Sequence, residues 1–213
     1  MGVSREQIIE KFGDAFLVTP DTFHMGIHRL FGDHVGQRFK NYKVVLDACA
    51  GAGFTSISLA KHVDRVVAVD IDEKHLMLAK ENAKIAGIKN IDFIPGDVTG
   101  LLENDALPRF DAAFLDPDWA LPGVDKEIHT GKLSDTSPSA ATLFKNISRL
   151  TSEIAIRLPK ETIISELDIL PPHELEKNIM DGKLRFYLAY FGKLSKKIGE
   201  TVFEVGAGKS QLI

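Results

Sequence analysis

Asp47-Ala48-Cys49-Ala50-Gly51-Ala52-Gly53-Phe54-Thr55 puts two closely spaced glycines between an apolar run and a helix-like stretch. Glycine at such a turn lets a ligand approach the backbone and the start of the following helix, and open α/β sheets bind cofactors at that end of their strands. A lone Gly-x-Gly turns a chain as readily as it holds a ligand, so the loop needs company. Asp70 closes the next apolar run, Val66 to Val69, at a sequence distance that suits a carboxylate accepting bonds from a pair of ribose hydroxyls. A helix N-cap uses the same residue type. Asp97, in Gly96-Asp97-Val98, ends the third run, where it can accept a hydrogen bond from an adenine amino group. One such acid is ordinary; acids in register at three successive strand ends are not.

Asp116-Pro117-Asp118-Trp119 follows a fourth apolar run. The Asp116 carboxylate and the Pro117 carbonyl can accept the two hydrogens of an exocyclic amine while the Trp119 ring stacks on the base that carries it. Those acceptors draw the nitrogen lone pair out of conjugation, so that rate comes from positioning and fixed dipoles, with no metal required. A tryptophan taken alone is more often core filler or a loop anchor. Its place just beyond a strand favours the stacking role.

The elements that must hold these residues alternate in type. Val44-Val45-Leu46, Thr55 to Lys61, Val66 to Val69 and Glu73 to Ala86 read as βαβα, with strands Ile91 to Ile94 and Ala112 to Leu115 following. Glu153 to Leu158 is a fifth strand, and Leu184 to Phe191 with Thr201 to Val205 reads as a closing antiparallel hairpin. Gln7 to Phe12 and Pro20 to Phe31 read as helices, and Gly123 to Pro138 as a long loop. Gly206-Ala207-Gly208-Lys209-Ser210 imitates a phosphate loop but lacks its first glycine, and reads as a frayed tail.

Composition bounds the reading. At 213 residues the chain buries one full-sized core. A net charge of −4 argues against a protein that grips long nucleic acid through many phosphates. Lys160, Lys183, Lys193, Lys196 and Lys197 could meet phosphates, but a solvated face explains them more simply. A single cysteine, Cys49, excludes an internal disulfide and fits a reducing, cytoplasmic setting; no apolar run has the length of a membrane span. The sequence does not reveal an oligomeric state.

Asp47, Gly51, Gly53, Asp70 and Asp97 together resemble the S-adenosylmethionine (SAM) pattern of nucleoside methyltransferases rather than a dinucleotide pattern. The fuller resemblance is to the trimethylguanosine synthase family, the RNA cap guanine-N2 methyltransferases. Phe16-Leu17-Val18-Thr19-Pro20, the Asp47 to Gly53 loop, Val69-Asp70-Ile71-Asp72, Glu81-Asn82-Ala83, Asp116 to Trp119 and Ala189-Tyr190-Phe191-Gly192 are each similar to a segment of that family. It implies an α/β, Rossmann-like class I methyltransferase fold: a seven-stranded mixed sheet with helices on both faces. Residues 1–43 would be a short helical segment closing over the cofactor, and 44–213 the SAM-dependent methyltransferase domain. It also implies a cofactor set of Thr19, Asp47, Ala48, Gly51, Gly53, Asp70, Ile71, Asp97 and Val98, and a catalytic set of Asp116, Pro117 and Trp119. The expected acceptor is an exocyclic purine amine, guanine N2-like, in RNA or a nucleotide, with no metal and no membrane partner. Asp116 and Asp118 stand where the family has Ser and Pro. A class I methyltransferase for a small molecule or protein, or a non-catalytic SAM-binding subunit, are the alternatives.

Overall fold

The computed structural model describes residues 2–120, 129–206 and 209–212, the side chains only as far as Gly206. It divides into two compact units, residues 1–112 and 113–213.

The first unit starts with helices α1 (Arg5–Phe12), α2 (Pro20–Met25) and α3 (Arg29–Phe39). Strands β1 (Val44–Ala48), β2 (Arg65–Asp70) and β3 (Ile91–Pro95) then alternate with α4 (Phe54–Ala60), α5 (Glu73–Ile85) and α6 (Val98–Glu103). The strands pair in parallel in the order β3-β2-β1. Val45, Leu46, Val66, Val67, Ala68 and Val69 are all fully buried, the unbroken apolar run expected of parallel strands covered on both faces. The single helix expected over Pro20 to Phe31 is instead two. Gly26 leaves helical geometry at φ −61°, ψ 136°, and a Cβ there would strike the Phe54 and Phe12 rings at 2.6 and 2.8 Å. The turn between α2 and α3 is therefore pressed onto the Phe12–Phe54 stack, whose ring centroids lie 3.8 Å apart.

One buried side chain fixes the stretch that precedes α2. Asn82, fully buried in α5, accepts from the Leu17 N–H at 2.7 Å and donates to the Leu17 carbonyl and the Ala52 carbonyl, each at 3.0 Å. Thr19 then caps α2 in a reciprocal pair with Thr22.

In the second unit β4 (Ala112–Leu115) pairs in parallel with β5 (Ile154–Pro159), and α7 (Ala140–Ile147) connects them. Strands β6 (Glu174–Met180), β7 (Lys183–Tyr190), β8 (Gly199–Gly206) and β9 (Lys209–Leu212) follow. The order is β4-β5-β7-β6-β8-β9. Three sequence expectations fail here. Nine strands occur among the described residues where seven were expected. The hairpin between Leu184 to Phe191 and Thr201 to Val205 does not form: β7 pairs with β5 and β6, while β8 runs parallel to β6. The tail is not frayed over Lys209–Leu212, which pairs antiparallel with β8; Ala207 and Gly208 lie outside the described residues.

The cause lies in β6. Its alternate residues Glu174, Glu176 and Asn178 are polar yet buried, so the strand lacks an apolar stripe. They are held by partners: Glu174 accepts from Thr201 Oγ1 at 2.8 Å and the Lys196 N–H at 2.7 Å, and Glu176 from Tyr190 at 3.4 Å. Asp181-Gly182, with φ 51° and 70°, turns β6 into β7, as an Asp-Gly pair in a two-residue hairpin does. Of the long loop expected over Gly123 to Pro138, residues 123–128 lie outside the described residues. The rest holds a short 3-10 helix, Leu133–Asp135.

Removing the Asn82 amide leaves buried backbone groups of two segments without a partner, at a cost of roughly 1–3 kcal/mol. Asn82→Ala should lower stability by that amount in chemical denaturation, and an unchanged midpoint would show that water replaces the amide.

Candidate active site

In the first unit the expected cofactor residues lie at the ends of β1 and β2, on the loop after β1 and at the start of α6 after β3, while Thr19 is the N-cap of α2. Asp47 is fully buried at the end of β1 and accepts from the Ser56 hydroxyl, tying the strand to α4. Ala48 beside it is also fully buried. The loop then places Cys49, Gly51 and Gly53 at φ 72°, 55° and 84°. The two glycines differ in their surroundings. A Cβ on Gly53 would lie 2.9 Å from that of Ala79 in α5, whereas one on Gly51 would meet nothing within 4 Å. Gly53 thus permits close packing on a helix, and Gly51 borders open space.

Asp70 answers the question its sequence position left open. The N-cap of α5 is Asp72, whose carboxylate accepts from the Lys74 N–H. Asp70 faces back into the loop: Oδ2 accepts from the Gly51 N–H at 2.7 Å and Oδ1 from the Asp72 N–H at 2.9 Å, with His75 Nδ1 at 3.7 Å from Oδ1. Burial by itself would raise this carboxyl. The hydrogen bonds from His75, Asp72 and Gly51, with the charge of His75, outweigh it and hold Asp70 below its ordinary value. Ile71 is 75% exposed, an apolar face next to that carboxylate. Asp97 is the exposed N-cap of α6, accepting from the Thr99 N–H at 3.0 Å, and Val98 is buried behind it. The donor set fits SAM: Asp70 Oδ2 accepts the Gly51 N–H and keeps a lone pair for a ribose hydroxyl, and the space beside Gly51 would admit the ligand.

The second unit carries the other expected residues, and one that sequence reasoning missed. Asp116 Oδ2 accepts from Arg157 Nη1 at 2.6 Å, with the side chains 18% and 9% exposed. Burial pushes the Asp116 carboxyl up, the Arg157 charge and hydrogen bond oppose this, and neighbouring Asp118 adds to the rise, leaving it above its ordinary value. Pro117 is buried and Trp119 half-buried. The Arg157 guanidinium covers one face of the Trp119 ring at 4.5 Å and lies 4.9 Å from the Phe186 ring. His129 meets Trp119 in an edge-to-face contact at 5.6 Å, its Nδ1 3.3 Å from Glu161. Asp118 is exposed and pairs with Ser137 through reciprocal backbone bonds of 2.9 Å. The signal for Arg157 was present, a lone charge within the apolar strand Ile-Ala-Ile-Arg-Leu-Pro. The five lysines singled out earlier are all exposed. Among the described residues no cluster of three or more His, Cys, Asp or Glu could hold a metal ion, and no helix is long and apolar enough to cross a membrane.

A model of the RNA cap guanine-N2 methyltransferases matches residues 42–199. The chain belongs to the RNA cap guanine-N2 methyltransferase family. It is 29% identical over 196 residues to trimethylguanosine synthase of Schizosaccharomyces pombe, covering 86% of this chain and 79% of that one. It is 26% identical to an uncharacterized RNA methyltransferase of Clostridium tetani, covering 79% of this chain but only 39% of the relative. Among solved structures, one from Porphyromonas gingivalis superposes with a TM-score of 0.77 at 13% identity, over 98% of this chain and 53% of that chain. A Streptococcus mutans protein in complex with SAH superposes with a TM-score of 0.53 at 18% identity, over 74% of this chain and 94% of that one. The family member described here is therefore a SAM-dependent methyltransferase with the α/β class I methyltransferase fold.

Asp70→Ala should weaken SAM binding by roughly 1–3 kcal/mol in calorimetry, the cost of leaving ligand hydroxyls unpaired; unaltered affinity would reduce Asp70 to a loop brace. Because folding lowers the Asp70 pKa, its stabilising contribution is complete above the unfolded value of about 3.9 and is lost as pH falls through the lower folded value. The stability advantage of wild type over Asp70→Asn in urea denaturation should therefore shrink as pH is taken from about 5 to about 2. A constant difference would mean no linkage.

Proposed function

We propose that this methyltransferase transfers the methyl group of SAM to the exocyclic N2 amine of a guanine in RNA or a nucleotide. The observation that carries the reading is the Asp116-Pro117-Asp118-Trp119 segment directly after β4, where a carboxylate fixed through one oxygen adjoins an aromatic ring. The family to which the chain belongs, and its likeness to trimethylguanosine synthase, support the choice of guanine N2.

SAM supplies an electrophilic methyl group. In the first unit, Asp70 would take the ribose hydroxyls, Ile71 and Val98 would flank the adenine, and Asp97 would accept from its amino group. Asp47 and Ala48 would hold the loop whose Gly51 borders the ligand, and the stretch before Thr19, pinned by Asn82, would enclose the methionine end. In the second unit, the Asp116 carboxylate and the Pro117 carbonyl would accept the two amine hydrogens, localising the nitrogen lone pair. As the N–C bond forms and the S–C bond breaks, the nitrogen must shed a proton. The Asp116 carboxylate is an acceptor for it, and its raised pKa makes it a better base than an exposed aspartate. Trp119 also offers its indole N–H, buried and without a hydrogen-bond partner among the described residues, to an acceptor on the base.

One observation favours a second reading. The guanidinium on one face of Trp119 narrows the room for a stacked base, as a site for a small molecule or a protein side chain would.

Incubation with methyl-labelled SAM and separate pools of RNA, nucleotides, metabolites and protein, followed by nucleoside mass spectrometry, should place the label in N2-methylguanosine. Label confined to the metabolite or protein pool would overturn the assignment. With that acceptor, Trp119→Ala should weaken acceptor binding by roughly 1–3 kcal/mol, the usual worth of base stacking, while SAM affinity is preserved.

A further inference from the structure

Arg157 is the one charged residue of β5 and is almost completely buried. Its guanidinium lies over the Trp119 ring at 4.5 Å and the Phe186 ring at 4.9 Å and donates to Asp116 Oδ2 at 2.6 Å. A planar cation laid against two rings has its orientation fixed, and so has the carboxylate bonded to it. Only Oδ2 of Asp116 is engaged by this contact, and the side chain keeps 18% of its surface.

We propose that Arg157 is a positioning residue for methyl transfer, locking Asp116 through Oδ2 so that Oδ1 is presented to the acceptor amine, and locking the Trp119 ring beside it. This rests on the amine-transfer reading above. The arrangement answers a problem created by the sequence. A carboxylate in so buried a place is driven to take up a proton, and a protonated Asp116 could not receive the proton that the amine nitrogen sheds. The charged groups that bear on it are Arg157 from β5, which favours the ionised form, and Asp118 from its own loop, which opposes it. Lysine would supply the charge without the plane: a point cation on a flexible stem fixes neither the carboxylate nor the ring.

The test compares wild type with Arg157→Met, Arg157→Lys and the double variant Asp116→Asn with Arg157→Met. Three quantities are read: the titration of the Asp116 carboxyl by carbon NMR in aspartate-labelled protein, kcat and KM with guanosine monophosphate and a guanine-containing RNA oligonucleotide, and SAM affinity as the check of folding. Arg157→Met should titrate Asp116 at higher pH than wild type and lower kcat on the order of 10–100-fold, the effect of a misplaced reacting group, with SAM affinity preserved. Arg157→Lys should restore the titration but not kcat. The double variant should regain the thermal stability that Arg157→Met loses, because no buried charge is left alone, yet remain slow. An unmoved titration or an unmoved kcat in Arg157→Met overturns the proposal. So does a double variant in which kcat returns along with stability, since the pair would then be structural alone. Failure of the amine-transfer reading shows separately, as a wild type that labels neither acceptor, and the titration then still decides whether Arg157 governs Asp116.

Discussion

The hydrogen bonds of one buried amide, that of Asn82, hold together the N-terminal stretch and the glycine loop of the first unit. Leu17 and Ala52 are far from Asn82 in sequence, yet each has a backbone carbonyl on its Nδ2. Three residues earlier on the same helix, Ala79 lies against the position where Gly53 lacks a side chain. Helix α5 is in effect the mould for the loop: one contact requires a glycine, the other a buried amide, and both lie on the face that three-residue spacing puts together. The helix also starts just after Asp70, whose carboxylate holds the Gly51 N–H. Loop, acid and N-terminal stretch are therefore held by contacts within the unit itself, which is what preorganisation of a binding site requires.

The second unit solves a different problem, that of placing charge inside a sheet. β6 turns Glu174, Glu176 and Asn178 inward, and β5 turns in Arg157. Each buried carboxylate has a donor within hydrogen-bond reach, whether a hydroxyl, a backbone N–H or a guanidinium. Groups of this kind are costly unless satisfied, so the strands that carry them have little freedom to slip register: a shift of one residue would aim every carboxylate at the opposite face.

The parallel βα units were legible because their strands are covered on both faces and read as unbroken Val, Leu and Ala runs, with glycines and acids at the ends. The carboxyl-terminal half was less so. β6 carries no apolar alternation, since its inward residues are held by hydrogen bonds that only the folded sheet reveals, and the Asp181-Gly182 turn was the one local clue to it. In the site, Asp70 and Asp116 could be picked out by their places at strand ends. That Asp70 braces the loop through Gly51, and that Asp116 is paired, could not, because each partner is remote: Gly51 is 19 residues away and Arg157 is 41. Arg157 itself stood out only as a charge where an apolar residue was due.

The Asp116–Arg157 pair also constrains how this sequence can change over generations. Replacing either partner by a neutral group breaks a buried ion pair at a cost in stability, whereas loss of both is close to neutral. The two positions are thus separated from an uncharged pairing by an unstable intermediate, and drift at one is blocked until the other has moved. Among descendants of a common ancestor, acid at 116 and arginine at 157 should be inherited together and lost together. The strand position of Arg157 then becomes a marker, visible in sequence alone, of which lineages kept a carboxylate beside the tryptophan.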